Sequence, residues 1–253
     1  EAVIGAWLRR QPSKRDRIVL ATKVGMDMGP GGKGLSAAHI QRSVEGSLQR
    51  LRVDRIDLYQ AHQDDPATPL EETLTAFGEL VAAGKVRAIG ASNYSAPRLA
   101  ETLATSARLQ LPRFETLQPH YNLMERALYE AELEPLCRAE GLGVINYFGL
   151  ARGFLTGKYR SEADLAKSPR GGGVKPYLNA RGFGVLAALE AVAAETGATL
   201  AQVALAWQMA RPGLTAPIAS ATSLAQLAEL TAAMDLALTP AQIARLDQAS
   251  AWQ

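Results

Sequence analysis

The sequence predicts an α/β fold with parallel strands, a (β/α)8 barrel with about six of its eight strands present, and three observations lead there. Short apolar runs alternate with longer amphipathic stretches, the pattern of parallel strands joined by crossover helices. Helix starts carry capping signals, most plainly at Thr199-Leu-Ala-Gln202 and Thr239-Pro-Ala-Gln242. The 253 residues show no internal linker and are enough for one barrel domain.

The elements follow in order. Glu1 to Leu8 reads as a helix. The apolar runs are Ile18–Val24, Ile56–Ala61, Val86–Ala91, Phe114–Gln118, Leu142–Tyr147 and Ala216–Ala219. Helical periodicity fills residues 37–51, 71–83, 97–107, 125–139, 183–196, 200–211, 224–235 and 240–249. Thr68-Pro-Leu-Glu71 offers a cap, a proline at the first helical position and an acid at the third; Ser223-Leu-Ala-Gln226 repeats the box without the proline. Residues 161–182, with Gly171-Gly-Gly173 and two prolines, form no regular pattern and read as a long surface loop, a lid or mobile excursion.

Composition excludes several classes. The apolar fraction of 47% and charged fraction of 21% are those of an ordinary globular protein. A net charge of +2, from 27 basic and 25 acidic residues, gives no case for a nucleic-acid or anionic-membrane partner. A single cysteine, Cys137, excludes an internal disulfide framework and a cysteine-rich zinc site, and its helical setting reads as a buried small hydrophobe. No apolar run has membrane-spanning length and no signal peptide is evident, so a cytoplasmic location is the default expectation. Three scattered histidines without paired strand-end carboxylates argue against a metal-dependent hydrolase.

The residues able to carry chemistry sit at the carboxyl ends of the apolar runs, where barrel sites assemble. Lys23 ends the first run, as a charge aimed into the site or as a surface lysine. His62 follows the second, where an imidazole can hydrogen-bond a carbonyl oxygen. Asp57, earlier on that run, is a buried partner or a direct participant; His39 reads as a solvent-facing helix residue. Ser92-Asn93 and Gln118 can donate to and accept from a carboxamide, or Ser92-Asn93 can cap the helix before Pro97. His120 and Tyr121 are candidates for the substrate pocket. In Ile145 to Tyr159 an aromatic, Tyr147, ends a strand and a loop with Phe148, Gly149, Leu150, Arg152 and Lys158 follows. The ring suits a flat ligand, with backbone amides and Arg152 or Lys158 toward phosphates; the plainer reading is a turn with solvated charges. Ser220, Thr222, Ser223 and Gln226 lie where a run meets a helix N-terminus, a ready anion site.

These segments together resemble the aldo-keto reductases. Ala21-Thr-Lys-Val-Gly25 is similar to that family's lysine strand and Asp57-Leu-Tyr-Gln-Ala-His62 to its histidine strand. Gly84-Lys-Val-Arg-Ala-Ile-Gly-Ala-Ser-Asn93, Gln118-Pro-His-Tyr-Asn122, the 145–159 loop, and Pro217-Ile218 followed by Gln226 match later landmarks in order. The resemblance implies NADPH-dependent reduction of aldehydes or ketones to alcohols, with NADPH in preference to NADH and a small carbonyl compound as partner. It makes Lys23 and His62 catalytic, gives the nicotinamide to Ser92, Asn93 and Gln118 under the ring of Tyr147, and places the 2′-phosphate near Ser220, Thr222 and Gln226. At that last segment this chain has hydroxyls where the family often has a cation, which narrows the preference over NADH. The resemblance also implies that the first two strand–helix units, roughly 60 residues with the catalytic aspartate and tyrosine, are missing, so that the piece alone would be inactive. An alternative on the same scaffold is a nucleotide-sensing regulatory subunit like the β subunits of voltage-gated potassium channels.

Overall fold

The computed structural model describes residues 1–29, 32–168 and 171–252. Two compact units divide the chain, Glu1–Gln118 and Pro119–Gln253.

The first unit alternates helix and strand: α1 (Ala2–Arg10), a 3₁₀ turn at Pro12–Arg17, β1 (Ala21–Val24), α2 (Ala37–Leu51), β2 (Ile56–Ala61), α3 (Leu70–Ala82), β3 (Val86–Ser92), α4 (Ala96–Leu109) and β4 (Phe114–Gln118). The four strands are parallel and lie in chain order, as crossover helices require. One face of the sheet packs on helices: the Tyr59 ring stands edge-on to Phe77 of α3, Phe77 to Phe114, and Phe114 to Tyr94. The other face is set by register. Lys23 pairs with Gln60, Gln60 with Gly90, and Gly90 with Thr116, so these four residues form one row. Two residues further along, Ser92 pairs with Gln118 in the next row. Gly90 is required by space: a methyl there would overlap Thr116 Oγ1 and stand 3.1 Å from the Thr116 carbonyl oxygen and 3.3 Å from Gln60 Cγ.

Two expectations in this unit are corrected. Thr68 does not cap α3. Its hydroxyl donates to Asp65 Oδ2 at 2.7 Å, and the helix starts after Pro69 with no side-chain cap. His39 is not solvent-facing: it is buried in α2, its Nε2 lies 3.3 Å from Ser43 Oγ, and its Nδ1 has no partner among the described residues. The turn of α2 that carries it faces inward with Ile40.

The second unit contains α5 (Glu134–Ala139), β5 (Gly143–Val144), α6 (Ala180–Thr196), α7 (Leu200–Met209), α8 (Leu224–Ala232) and α9 (Pro240–Ala249). The helix expected over 125–139 is interrupted. A π turn spans Tyr129–Leu133 before α5, because Pro135 near the start of α5 supplies no amide to the i→i−4 ladder. Cys137 is buried there, and burial pushes its thiol up to about 11. Capping boxes hold α7 at Thr199 and α9 at Thr239, as the sequence predicts.

Among the described residues the chain has five strands rather than six. The run Ala216–Ala219 forms no strand, although its amides reach β5 and beyond: Thr215 and Ala216 donate to the Val144 carbonyl and Ile218 to that of Asn146. The Val144 amide turns instead to Thr215 Oγ1 at 3.1 Å, so one rung is side chain to backbone and no ladder forms. The segment 161–182 is more ordered than an irregular loop. Two 3₁₀ turns, Glu162–Lys167 and Gly171–Tyr177, shape it, Ser161 and Asp164 close a capping box, and α6 already begins at Ala180. Pro169 and Arg170 lie outside the described residues. The rest is tethered: Tyr177 donates to Glu125 Oε1 at 2.9 Å and Lys167 to the Lys158 carbonyl at 3.0 Å.

Candidate functional site

In the first unit the polar residues expected at strand ends come together at one end of the sheet. Lys23 ends an otherwise apolar run, half-buried, and no ion-pair partner stands beside it among the described residues. Burial holds its amine below the usual lysine range. His62 lies just past β2, its amide donating to the Val24 carbonyl at 2.8 Å. Burial first, and then the charge of Lys23, push its imidazole below the ordinary histidine value. The imidazole is therefore neutral at pH 7, with one ring nitrogen able to donate.

A chain of hydrogen bonds links the ends of β2, β3 and β4. Asn93 Nδ2 donates to the His62 carbonyl at 2.9 Å and lies 3.2 Å from Ser92 Oγ, and Ser92 Oγ donates to the Gln118 carbonyl at 2.9 Å. Asn93 adopts φ +56°, a left-handed conformation that asparagine tolerates better than most residues. The capping reading of Ser92-Asn93 fails, because Ser95 caps α4 by accepting from the Arg98 amide at 3.4 Å. The Gln118 side-chain amide has no partner among the described residues, although Gln118 is only 4% exposed. Beside a serine hydroxyl it offers a donor and an acceptor, the complement of a carboxamide.

Asp57 belongs to the other end of β2. Burial raises its carboxyl, but Arg15 Nη1 at 2.7 Å and the Leu20 amide at 2.8 Å outweigh that and hold it below the usual carboxylate range. Asp57 therefore fastens the entry of β1 and takes no place beside His62.

In the second unit Tyr147 follows the short β5 and is half-buried. Its amide donates to the Pro119 carbonyl at 3.0 Å. The His120 imidazole lies parallel to its ring, centroids 5.1 Å apart and planes within 11°, and Phe148 stands edge-on to both. Burial lowers the His120 pKa, partly opposed by Glu125. Phe148, Ala151 and Arg152 all have positive φ, so the loop after Tyr147 is a tight left-handed turn. The Arg152 guanidinium lies 4.2 Å from the Phe148 ring centre and the Lys158 ammonium 5.1 Å from that of Tyr159. Both expected phosphate-facing cations therefore rest on aromatic rings. Leu150 leads into this turn, its carbonyl accepting from the Gly153 amide at 2.8 Å. Near α8, Ser223 Oγ accepts from the Gln226 amide, and Gln226 Oε1 accepts from the Thr222 amide and hydroxyl at 2.8 and 3.0 Å. These groups cap the helix, and Ser220 stays exposed ahead of it.

Sequence reasoning missed the brace behind the Tyr147 loop. Asn146 Nδ2 donates to the Tyr121 carbonyl and to Gln208 Oε1 at 2.7 Å, and Gln208 Nε2 donates to the Gly149 carbonyl at 2.9 Å. Gly149 has no room for a side chain, since a methyl would stand 2.7 Å from Gln208 Oε1. Asn122 adds a bond from Nδ2 to the Phe148 carbonyl at 2.9 Å. The available signal was a glutamine inside the apolar stretch of α7. Among the described residues no cluster of three or more His, Cys, Asp or Glu could hold a metal, and no single helix is long and apolar enough to cross a membrane.

Residues 1–251 match the aldo/keto reductase family. The chain is 37% identical to an uncharacterized oxidoreductase, YrpG, of Bacillus subtilis, over 94% of the chain and 73% of that protein. It is 33% identical to a probable voltage-gated potassium channel subunit beta of Arabidopsis thaliana, over 98% and 78%. It is 31% identical to L-glyceraldehyde 3-phosphate reductase of Escherichia coli, over 92% and 70%. The family match covers residues 1–251 and does not itself show the expected loss of two strand–helix units or of activity; the chain spans 70–78% of the length of these relatives.

Proposed function

The chain belongs to the aldo/keto reductase family, whose fold is a (β/α)8 barrel, and from that premise we propose that it reduces aldehydes or ketones to alcohols with NADPH. The family and the relatives named as oxidoreductase and reductase support an oxidoreductase activity. The observation that carries the finer reading is the polar end of the first-unit sheet, where the Lys23 charge acts on a depressed His62 and Ser92 and Gln118 end the two neighbouring strands.

These residues fit a nicotinamide cofactor by their chemistry. Ser92, Asn93 and Gln118 offer donors and acceptors for its carboxamide, and Tyr147 offers a ring face. When bound, the dihydronicotinamide supplies the hydride. His62, held neutral, donates to the substrate carbonyl oxygen and fixes its direction. Lys23 brings positive charge to the end of the sheet where negative charge develops on that oxygen. Gln208 and Asn146 keep the Tyr147 loop in one conformation. The hydroxyls and amides around Ser220, Thr222 and Gln226 provide a polar, weakly charged setting for the 2′-phosphate, consistent with a preference for NADPH that salt weakens.

A second reading, a nucleotide sensor, is favoured by the relatives named as potassium channel β subunits. One experiment separates the two. The purified protein is titrated with NADPH and NADH, then assayed with simple aldehydes. Binding with steady consumption supports the reductase, and His62→Ala should then lower kcat/KM by about 10²-fold. Binding without consumption supports the sensor, and failure to bind either cofactor overturns both.

A further inference from the structure

At the end of the first-unit sheet away from Lys23 and His62, a cavity of about 220 Å³ opens among Arg15, Arg17, Arg55, Arg87, Asp16 and Asp57, with Val19 on one wall. Val19 precedes β1, Arg55 precedes β2, and Arg87 is the second residue of β3, so the cavity lies at the amino-terminal ends of three parallel strands. Its charge is unbalanced, with four arginines against two aspartates. Asp57 is already consumed: Oδ2 accepts from Arg15 and the Leu20 amide, and Arg55 lies 3.7 Å from Oδ1. Arg15 is a strut, its second nitrogen donating to the Arg55 carbonyl at 2.7 Å. Arg17 and Arg87 have no hydrogen-bond or ion-pair partner among the described residues.

We propose that this cavity is a binding site for a small phosphate-bearing anion, held by Arg17, Arg55 and Arg87. Guanidinium groups converging from three chain segments make a fork set suited to phosphate oxygens. The volume, below the roughly 300 Å³ at which drug-sized pockets begin, limits the ligand to phosphate or a compact phosphate ester. Val19 is 78% exposed and presents an apolar wall for the organic part of an ester. The site is separate from Lys23, His62 and Ser92, which lie at the opposite, carboxyl ends of the same first-unit strands.

The test is the melting temperature of the protein titrated with inorganic phosphate, with phenyl phosphate, and with sodium chloride at matched ionic strength. A saturable rise with either phosphate, absent with chloride, is expected. It should weaken at least fivefold in half-saturation in Arg17→Ala and Arg87→Ala and vanish in the double variant. Both side chains are exposed and without partners, so the variants keep the parent fold; far-ultraviolet circular dichroism and the ligand-free melting temperature verify this. Tighter binding of phenyl phosphate identifies an ester as the ligand, and equal binding identifies free phosphate. A rise no larger than that of chloride, or the same rise in the double variant, overturns the proposal.

Discussion

Replacing Gly90 by alanine tests the row Lys23–Gln60–Gly90–Thr116 that sets the inner face of the first-unit sheet. Gly90 has no left-handed φ, so its backbone is open to any residue and the constraint is space alone. The new methyl would overlap Thr116 Oγ1 and sit 3.1 Å from the carbonyl oxygen of the same residue. Thr116 has little room to rotate away, being β-branched on a pleated strand. The strands β3 and β4 must part locally, at an overpacking cost of about 1–3 kcal/mol. For a chain of this length that lowers Tm by roughly 2–12 °C. The same movement loosens the bond from Ser92 Oγ to the Gln118 carbonyl one row along, so NADPH affinity should fall as well. Thr116 Oγ1 is buried without a partner, so Thr116→Ala alone should be close to neutral. The double variant should recover most of the loss, because what then remains is the carbonyl at 3.1 Å and Gln60 Cγ at 3.3 Å. Thermal melts of the four proteins give the coupling directly. Additive effects, or a Gly90→Ala protein as stable as the parent, would refute the packing argument.

Other outcomes follow from the same geometry. Tyr147→Ala should weaken NADPH binding several-fold, about 1 kcal/mol beyond area burial, whereas Tyr147→Phe should keep it; equal affinities of parent and alanine variant by fluorescence titration would remove the ring from the site. Gln208→Leu strips Asn146 and the Gly149 carbonyl of buried partners and should cost about 1–3 kcal/mol in denaturant melts, a value near zero arguing against the brace. The His62 pKa is depressed in the folded state, so the folded protein binds fewer protons than the unfolded one below the ordinary histidine value. Its contribution to stability is thus present above about pH 6.5 and is lost as pH falls from there through the folded pKa. Lys23→Met removes one cause of the depression and should move the His62 NMR titration to higher pH, and an unmoved titration would show that the two charges are uncoupled.

Much of the first unit was legible in the sequence because its signals are local. Apolar runs and helical periodicity located α2, β2 and β4 to the residue, as they did α9 in the second unit, and strand ends placed Lys23, His62, Ser92 and Gln118. Parallel pairing then followed, since strands joined by crossover helices have few other arrangements.

Tertiary structure decided what depends on competition between partners far apart in sequence. Thr68 could cap a helix or bind Asp65, and the fold supplied Asp65. The Val144 amide could extend a ladder or donate to the Thr215 hydroxyl, and the fold supplied the hydroxyl. Arg152 and Lys158 could face phosphate or rest on rings, and the left-handed turn after Tyr147 brought Phe148 and Tyr159 under them. His39 turned inward because α2 packs its whole inner stripe. The Gln208 brace joins residues about 60 positions apart, beyond the reach of any periodicity, and the arginine cavity gathers side chains from three separate strand entries. The sequence by itself determined which residues are apolar, capped or charged at each step. Only the folded chain determined which of several chemically equivalent partners each polar group meets, because that choice depends on distances set by packing.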